Sequence, residues 1–158
     1  KLSMLSERQL NYLLNDKLNQ KLPPFINLGK LGLNFGLQGM QFTATSTVAE
    51  NQTLSFPMYV HSIPNNNDNQ DMVSMGCNAA LMTRKVIDNG FDVLAIQTMA
   101  LAQAIDYLKC QARLSTFSHK FYDDVRSIVG PIIDDEPRYK DIQAVRKYLL
   151  TLGSSIAL

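Results

Sequence analysis

Residues 71–111 run without a proline and stay rich in helix-forming side chains. Within them Met75, Ala79, Met82, Val86, Phe91, Leu94, Met99, Leu101 and Ile105 fall at the spacing of a helix that is apolar around much of its circumference. At about 1.5 Å per residue, a helix of about 40 residues is about 60 Å long, which exceeds the width of a domain of this size. A single chain of 158 residues cannot bury such a surface. The stretch therefore predicts a long central helix over 71–111 that packs against copies of itself.

The rest of the chain reads as helices and connections around it. Residues 1–22 predict a first helix, with Ser6 as N-cap, Gln9 closing a capping box, Leu5 against Leu10 as the staple, and Pro23-Pro24 forbidding continuation. Residues 34–55 predict a second helix. Its Gly36, Gly39, Ala44, Ser46 and Ala49 would let neighbouring backbones approach closely, and Gln38, Gln41, Thr43, Thr45, Glu50 and Asn51 would need polar partners if buried. Residues 57–70 form a loop dominated by Pro64-Asn65-Asn66-Asn67-Asp68-Asn69, a run of turn formers. Residues 115–152 predict two short helices, interrupted by Gly130-Pro131 and the acidic Asp134-Asp135-Glu136. The fold class is all-α, a long-helix bundle.

Charged residues make up 18% of the chain and the net charge is +1, with no dense Lys/Arg stripe interleaved with aromatics, which argues against a nucleic-acid surface. No run approaches the about 18 apolar residues of a membrane span, and Lys1-Leu2-Ser3-Met4 lacks the apolar core of a signal peptide. Cys77 and Cys110 stand far apart without metal-ligand spacing and read as buried thiols in a reducing compartment. These features predict a cytoplasmic protein. A start that lacks Met and drops straight into a helix signal reads as a piece of a longer chain.

The residues 66–71 are the most unusual for chemistry, with amides and two carboxylates ahead of a long helix. They fit a solvated turn and helix cap through Asn69 or Asp71, or a polar pocket wall that holds a carboxylate or phenol by hydrogen bonds. His61 and His119 have no nucleophile motif or acid beside them and read as structural. Glu50 and Asp71 could pair as acid and base, but linear spacing does not bring them together.

Several segments, Ser6-Glu7-Arg8-Gln9, Gly32-Leu33-Asn34-Phe35-Gly36-Leu37, Ala49-Glu50-Asn51 and Ser62-Ile63-Pro64 followed by Asn69-Gln70-Asp71-Met72-Val73-Ser74-Met75-Gly76, resemble in order and spacing the ammonia-lyases and aminomutases that act on histidine, phenylalanine and tyrosine. The Asn-rich loop is most similar to that of bacterial tyrosine ammonia-lyases. The resemblance implies the C-terminal part of the fumarase/aspartase-like superhelical fold, a homotetramer with a shared central bundle, and elimination of ammonia from an aromatic L-amino acid to give an aryl acrylate. It also implies a 4-methylidene-imidazol-5-one electrophile, formed from an Ala-Ser-Gly that these residues do not contain and that is expected in the remaining N-terminal part of the enzyme. This chain alone is accordingly expected to be inactive.

Carried over by position, the resemblance implies a catalytic role for Gln70 facing the substrate, contact of Asn66 with the aryl ring or its hydroxyl, and an aryl pocket lined by Gln38 and Phe42. The spacing of the last two places them on one helix face. An uncharged Gln70, where histidine-specific members carry Glu, favours tyrosine or phenylalanine. An aminomutase of the same family and a helical scaffold without catalysis are the alternatives.

Overall fold

The computed structural model describes residues 1–57, 60 and 62–155. Met58, Tyr59 and His61, which fall in the expected pocket loop, lie outside the described residues. Among the described residues six α-helices follow in order: α1 (Leu2–Leu14), α2 (Asp16–Asn19), α3 (Gln38–Thr53), α4 (Gly76–Leu108), α5 (Thr116–Ile128) and α6 (Tyr139–Ser155). Among the described residues there is no strand, only isolated bridges Leu31–Asn34 and Asn65–Gln70. The architecture is all-α, and none of these helices is long and apolar enough to cross a membrane.

The first helix differs from its expected form. α1 begins at Leu2, so Ser6 is not a cap but a buried residue inside the helix. The helix stops at Asn15, whose backbone is extended and whose side chain accepts the Lys17 N–H to start α2. Asn19 makes the break tolerable: its amide donates to the carbonyls of Tyr12, Leu13 and Asn15, while its oxygen accepts from Lys21 and Leu22. One side chain thus satisfies backbone groups that two helix ends leave open.

α4 begins at Gly76, five residues later than expected. The cause is Ser62, whose hydroxyl donates to the Asp71 carbonyl and accepts the Val73 N–H, both at 3.0 Å. That pairing commits residues 71–73 to the loop. Asp71 does not cap α4; its carboxylate accepts the adjacent Met72 N–H.

α4 is the central element and contacts α1, α3, α5 and α6. Its second half is buried: Val93, Ala95, Ile96, Met99 and Ala100 join Leu10 and Leu14 of α1, Met40, Ala44 and Val48 of α3, and Val145 of α6 in one core. Its first half is open, with Leu81 67% and Ile87 55% exposed. α3 buries Met40, Ala44, Val48 and Asn51, a helical spacing; Thr43, Thr47 and Thr53 donate to carbonyls four residues back, while Thr45 donates to the Glu7 carboxylate of α1. Within this chain Gly39, Ser46 and Ala49 of α3 face outward, and of these small residues and Ala44 only Ala44 is in the core. Arg146 anchors α6 to α4 through Asp88 and Asp92; burial is the main influence on the Asp92 carboxyl and pushes it above the usual carboxylate range, while Arg146 acts the other way. Cys77 is exposed and Cys110 half-buried, so neither is the buried thiol expected from the sequence.

Gln103 ties the core to the connections. Fully buried, its amide donates to the carbonyls of Ile26 and Ile132, at 3.0 and 2.9 Å, and accepts the Ile132 N–H at 2.9 Å. Gln103→Leu strands these backbone groups, and the expected result is a loss of about 2–4 kcal/mol of unfolding free energy in urea denaturation. An unchanged midpoint would show that the three groups find other partners. Two glycines near the start of α3 should respond with opposite signs. Gly36 has φ +58°, and a methyl group there would meet Asn27 Cα and the Phe25 carbonyl oxygen at 2.9 Å. Gly39 is helical with open space around it. Gly36→Ala is expected to lower stability by about 1–3 kcal/mol and Gly39→Ala to raise it by about 0.5–1 kcal/mol, read by the same denaturation.

Candidate functional site

Two features carry the residues singled out in the sequence. The first is a hairpin closed by reciprocal backbone bonds between Asn65 and Gln70, at 3.0 and 3.3 Å, with a further bond from the Asn69 N–H to the Asn66 carbonyl at 3.1 Å. Its tip holds Asn66, Asn67 and Asp68 in succession at φ +53°, +59° and +58°. Asn and Asp tolerate this left-handed conformation better than other non-glycine residues, which is why the polar run forms this turn. Ser62 ties the segment that follows the hairpin to the segment that precedes it. The side chains of Asn66 and Gln70 are exposed and hydrogen-bond to nothing among the described residues.

The second feature is a groove of about 520 Å³ between the start of α3 and the segment that leads into α6. Gln38 and Phe42 lie one turn apart on one wall, with Phe35, Met40 and Thr43. Phe42 is 66% exposed, and the half-buried Gln38 side-chain amide has no hydrogen-bond partner among the described residues. The opposite wall comes from Ile132, Asp134 to Arg138, Tyr139 and Ile142. Arg138 is held there by the Asp134 carbonyl and by the Asp141 and Glu136 carboxylates. Gln38 and Phe42 therefore share one groove, and Asn66 and Gln70 share one hairpin. Among the described residues no hydrogen bond or ion pair joins the two pairs.

The sequence reading did not find the second wall. In the sequence the acidic run Asp134-Asp135-Glu136 only separates two helices, and nothing local ties it to Phe35, although Asp135 accepts the Phe35 N–H from 100 residues away. Other polar residues resolve differently from their linear appearance. Glu50 does not meet Asp71; its carboxylate accepts from the amide of buried Asn89 at 2.6 Å and faces Lys85 at 3.7 Å. Asn51 joins that cluster by accepting from Asn89 and donating to the Val86 carbonyl. His119 does have an acid beside it, since one helical turn brings Asp123 to 2.9 Å. Asp106, Tyr122 and Arg126 form a cluster that closes the end of α5, with the Arg126 guanidinium donating to the Val129 and Gly130 carbonyls. None of these clusters combines a nucleophile with a base, and among the described residues no group of three or more His, Cys, Asp or Glu could hold a metal ion.

The helical frame that carries these residues has counterparts among known proteins. Residues 1–127 match the family described as aromatic amino acid lyase. Over 152 residues the chain is 41% identical to a histidine ammonia-lyase of Staphylococcus saprophyticus, covering 96% of this chain and 30% of that protein. It is 37% identical to a tyrosine ammonia-lyase of Cupriavidus metallidurans, covering 94% and 28%. Its backbone superimposes on the crystal structure of tyrosine aminomutase from Streptomyces globisporus with a TM-score of 0.89 at 39% identity, over 93% of this chain and 28% of that one. The chain thus spans about 30% of the length of the relatives it matches. With four-fifths of its length inside the family match and its fold shared with a family structure, this chain belongs to the aromatic amino acid lyase family.

Proposed function

We propose that this chain is the C-terminal part of an ammonia-lyase that acts on tyrosine or phenylalanine. In that reaction the β-carbon gives up a proton, the carbon–nitrogen bond breaks, ammonia leaves and an aryl acrylate remains. The observation that carries the choice of substrate is Gln70, whose uncharged side-chain amide has no partner among the described residues and stands at the closing position of the hairpin. An amide can bond to a substrate or to a catalytic group without demanding a cationic ring, as an imidazole-specific pocket could. Asn66, at the turn of the same hairpin, offers an amide to a phenol hydroxyl. Gln38 and Phe42 supply a groove of the size and aromatic character that suit a substrate ring.

The 4-methylidene-imidazol-5-one of this chemistry forms from Ala-Ser-Gly, and these 158 residues contain no such tripeptide. No side chain described here can form it. The contribution of this chain is therefore to bind and orient, with the electrophile and the general base supplied by the remaining N-terminal part of the enzyme. The open, apolar first half of α4 supports assembly with further copies into a homotetramer. A cytoplasmic location belongs to the same proposal. An aminomutase, in which ammonia is returned to the neighbouring carbon, is the second reading; a tyrosine 2,3-aminomutase of Streptomyces globisporus is 40% identical to this chain. Product analysis separates the two, since a lyase accumulates aryl acrylate and a mutase the β-amino acid.

Two outcomes are expected. The isolated chain releases no aryl acrylate from histidine, phenylalanine or tyrosine in an ultraviolet assay, and turnover above a heat-killed control would mean that the chemistry has been misplaced. In the full-length enzyme, Gln70→Glu puts a charge into a desolvated pocket, and it should lower kcat/KM on tyrosine and phenylalanine at least about tenfold more than on histidine. Asn66→Ala should instead shift the ratio of tyrosine to phenylalanine, because only the phenol can use the lost bond. A wild-type preference for histidine, or an unchanged ranking in Gln70→Glu, would refute the placement of Gln70.

A further inference from the structure

Phe35 precedes Gly36 at the turn into α3, and its N–H serves no helix. It donates to both carboxylate oxygens of Asp135, at 3.1 and 2.9 Å, across 100 residues of chain. An ionised acceptor makes this a stronger bond than one to a neutral carbonyl. Both partners are exposed, yet each is anchored to buried backbone within three residues. On one side the Leu37 N–H donates to the Phe25 carbonyl at 3.0 Å. On the other, Ile132 exchanges two hydrogen bonds with the buried amide of Gln103. The bond is therefore a clasp between two fixed supports, and it joins the two walls of the groove that Gln38 and Phe42 line.

We propose that Asp135 is a positioning residue of this groove: by holding the Phe35 N–H it sets how far Gln38 and Phe42 stand from the wall formed by Ile132, Arg138 and Tyr139, and so sets which aromatic ring the groove prefers. This rests on the reading of Gln38 and Phe42 as aryl-facing. Asp135 itself touches no reacting atom. Loss of the clasp frees the turn at Phe35 and Gly36 while the core contacts of Met40, Ala44 and Val48 keep α3 in place. The groove then widens or closes at one end, and rings of different size and polarity respond unequally. A residue that served only stability would change the amount of active enzyme and treat all substrates alike.

The test is steady-state kinetics of the full-length enzyme on tyrosine, phenylalanine and histidine, with Asp135→Ala, Asp135→Asn and Phe42→Ala. Asp135→Ala is expected to shift the substrate ratios of kcat/KM by about threefold or more, chiefly through KM, because the groove binds ground state and transition state alike. Asp135→Asn keeps an oxygen that accepts from the Phe35 N–H, so its ratios should stay within about twofold of wild type. A proportional loss on all substrates in Asp135→Ala, or equal ratios in the Ala and Asn variants, overturns the role of Asp135. Phe42→Ala examines the reading underneath. If it leaves the ranking untouched, the groove is not the aryl pocket and the proposal falls with it; if it moves the ranking while Asp135→Ala does not, only the clasp is wrong. Residue-resolved amide hydrogen exchange of the wild type decides the matter even if Asp135→Ala does not fold. The Phe35 amide should be protected relative to that of Gly36, which has no partner among the described residues. Equal exchange would show that no clasp forms.

Discussion

A glutamine amide sealed from water must find protein partners for its two donors and its acceptor, and Gln103 finds them on the backbone of two segments that lie far apart in sequence. Much of the described chain is arranged around that requirement. The first segment contains Phe25 and Ile26, both at positive φ, a conformation that costs a β-branched residue such as Ile26 on the order of 1–3 kcal/mol. It persists because the Ile26 carbonyl is held by Gln103 and the Phe25 carbonyl by the Leu37 N–H. The same bonds fix where α3 starts. The second segment is gripped at Ile132, just before the chain turns past Asp134 and Asp135 toward α6. Both walls of the groove thus hang from one side chain of α4, and the strain of the first wall is balanced by the hydrogen bonding that Gln103 supplies.

How far the sequence disclosed this depends on the range of the interaction. The apolar spacing of α4 and the breaks at Pro23-Pro24 and Gly130-Pro131 are local patterns, so helices and all-α class were legible from them. The start of α4 was not, because the competitor for residues 71–73 is the hydroxyl of Ser62, about ten positions away. Nor was the end of α1, where Asn19 reaches back over the last turn. Gln103 looks like any polar residue within a helix until its burial is known. Gln38 and Phe42 came from the resemblance, and helical spacing accounts only for their sharing one face. Asp135 was beyond reach, since no periodicity relates a carboxylate to an N–H a hundred residues away.

The division of α4 into a buried and an open half gives physical content to the coverage of the family match. The half that belongs to the core of this chain, Asn89 to Ala104, is covered by α1, α3 and α6, with Asn89, Gln97 and Gln103 each paired. The preceding half, which follows the hairpin of Asn66 and Gln70 in the chain, carries Leu81 and Ile87 on open faces. A chain that spans about 30% of its relatives leaves ample protein elsewhere in those relatives to cover such a face.

The left-handed run at Asn66, Asn67 and Asp68 has a consequence for how such a site can change over time. Three consecutive positions with φ near +55° admit Gly, Asn and Asp at little strain and penalise branched or bulky residues. Any side chain presented to a ligand from this tip is drawn from that short alphabet. Variation there exchanges an amide for a carboxylate, or removes the side chain altogether, and cannot readily install an apolar or cationic group. In the proposed pocket, diversification toward new ring chemistries would thereby fall to positions with ordinary backbone, such as Phe42 within α3, while the hairpin tip retains its small polar vocabulary.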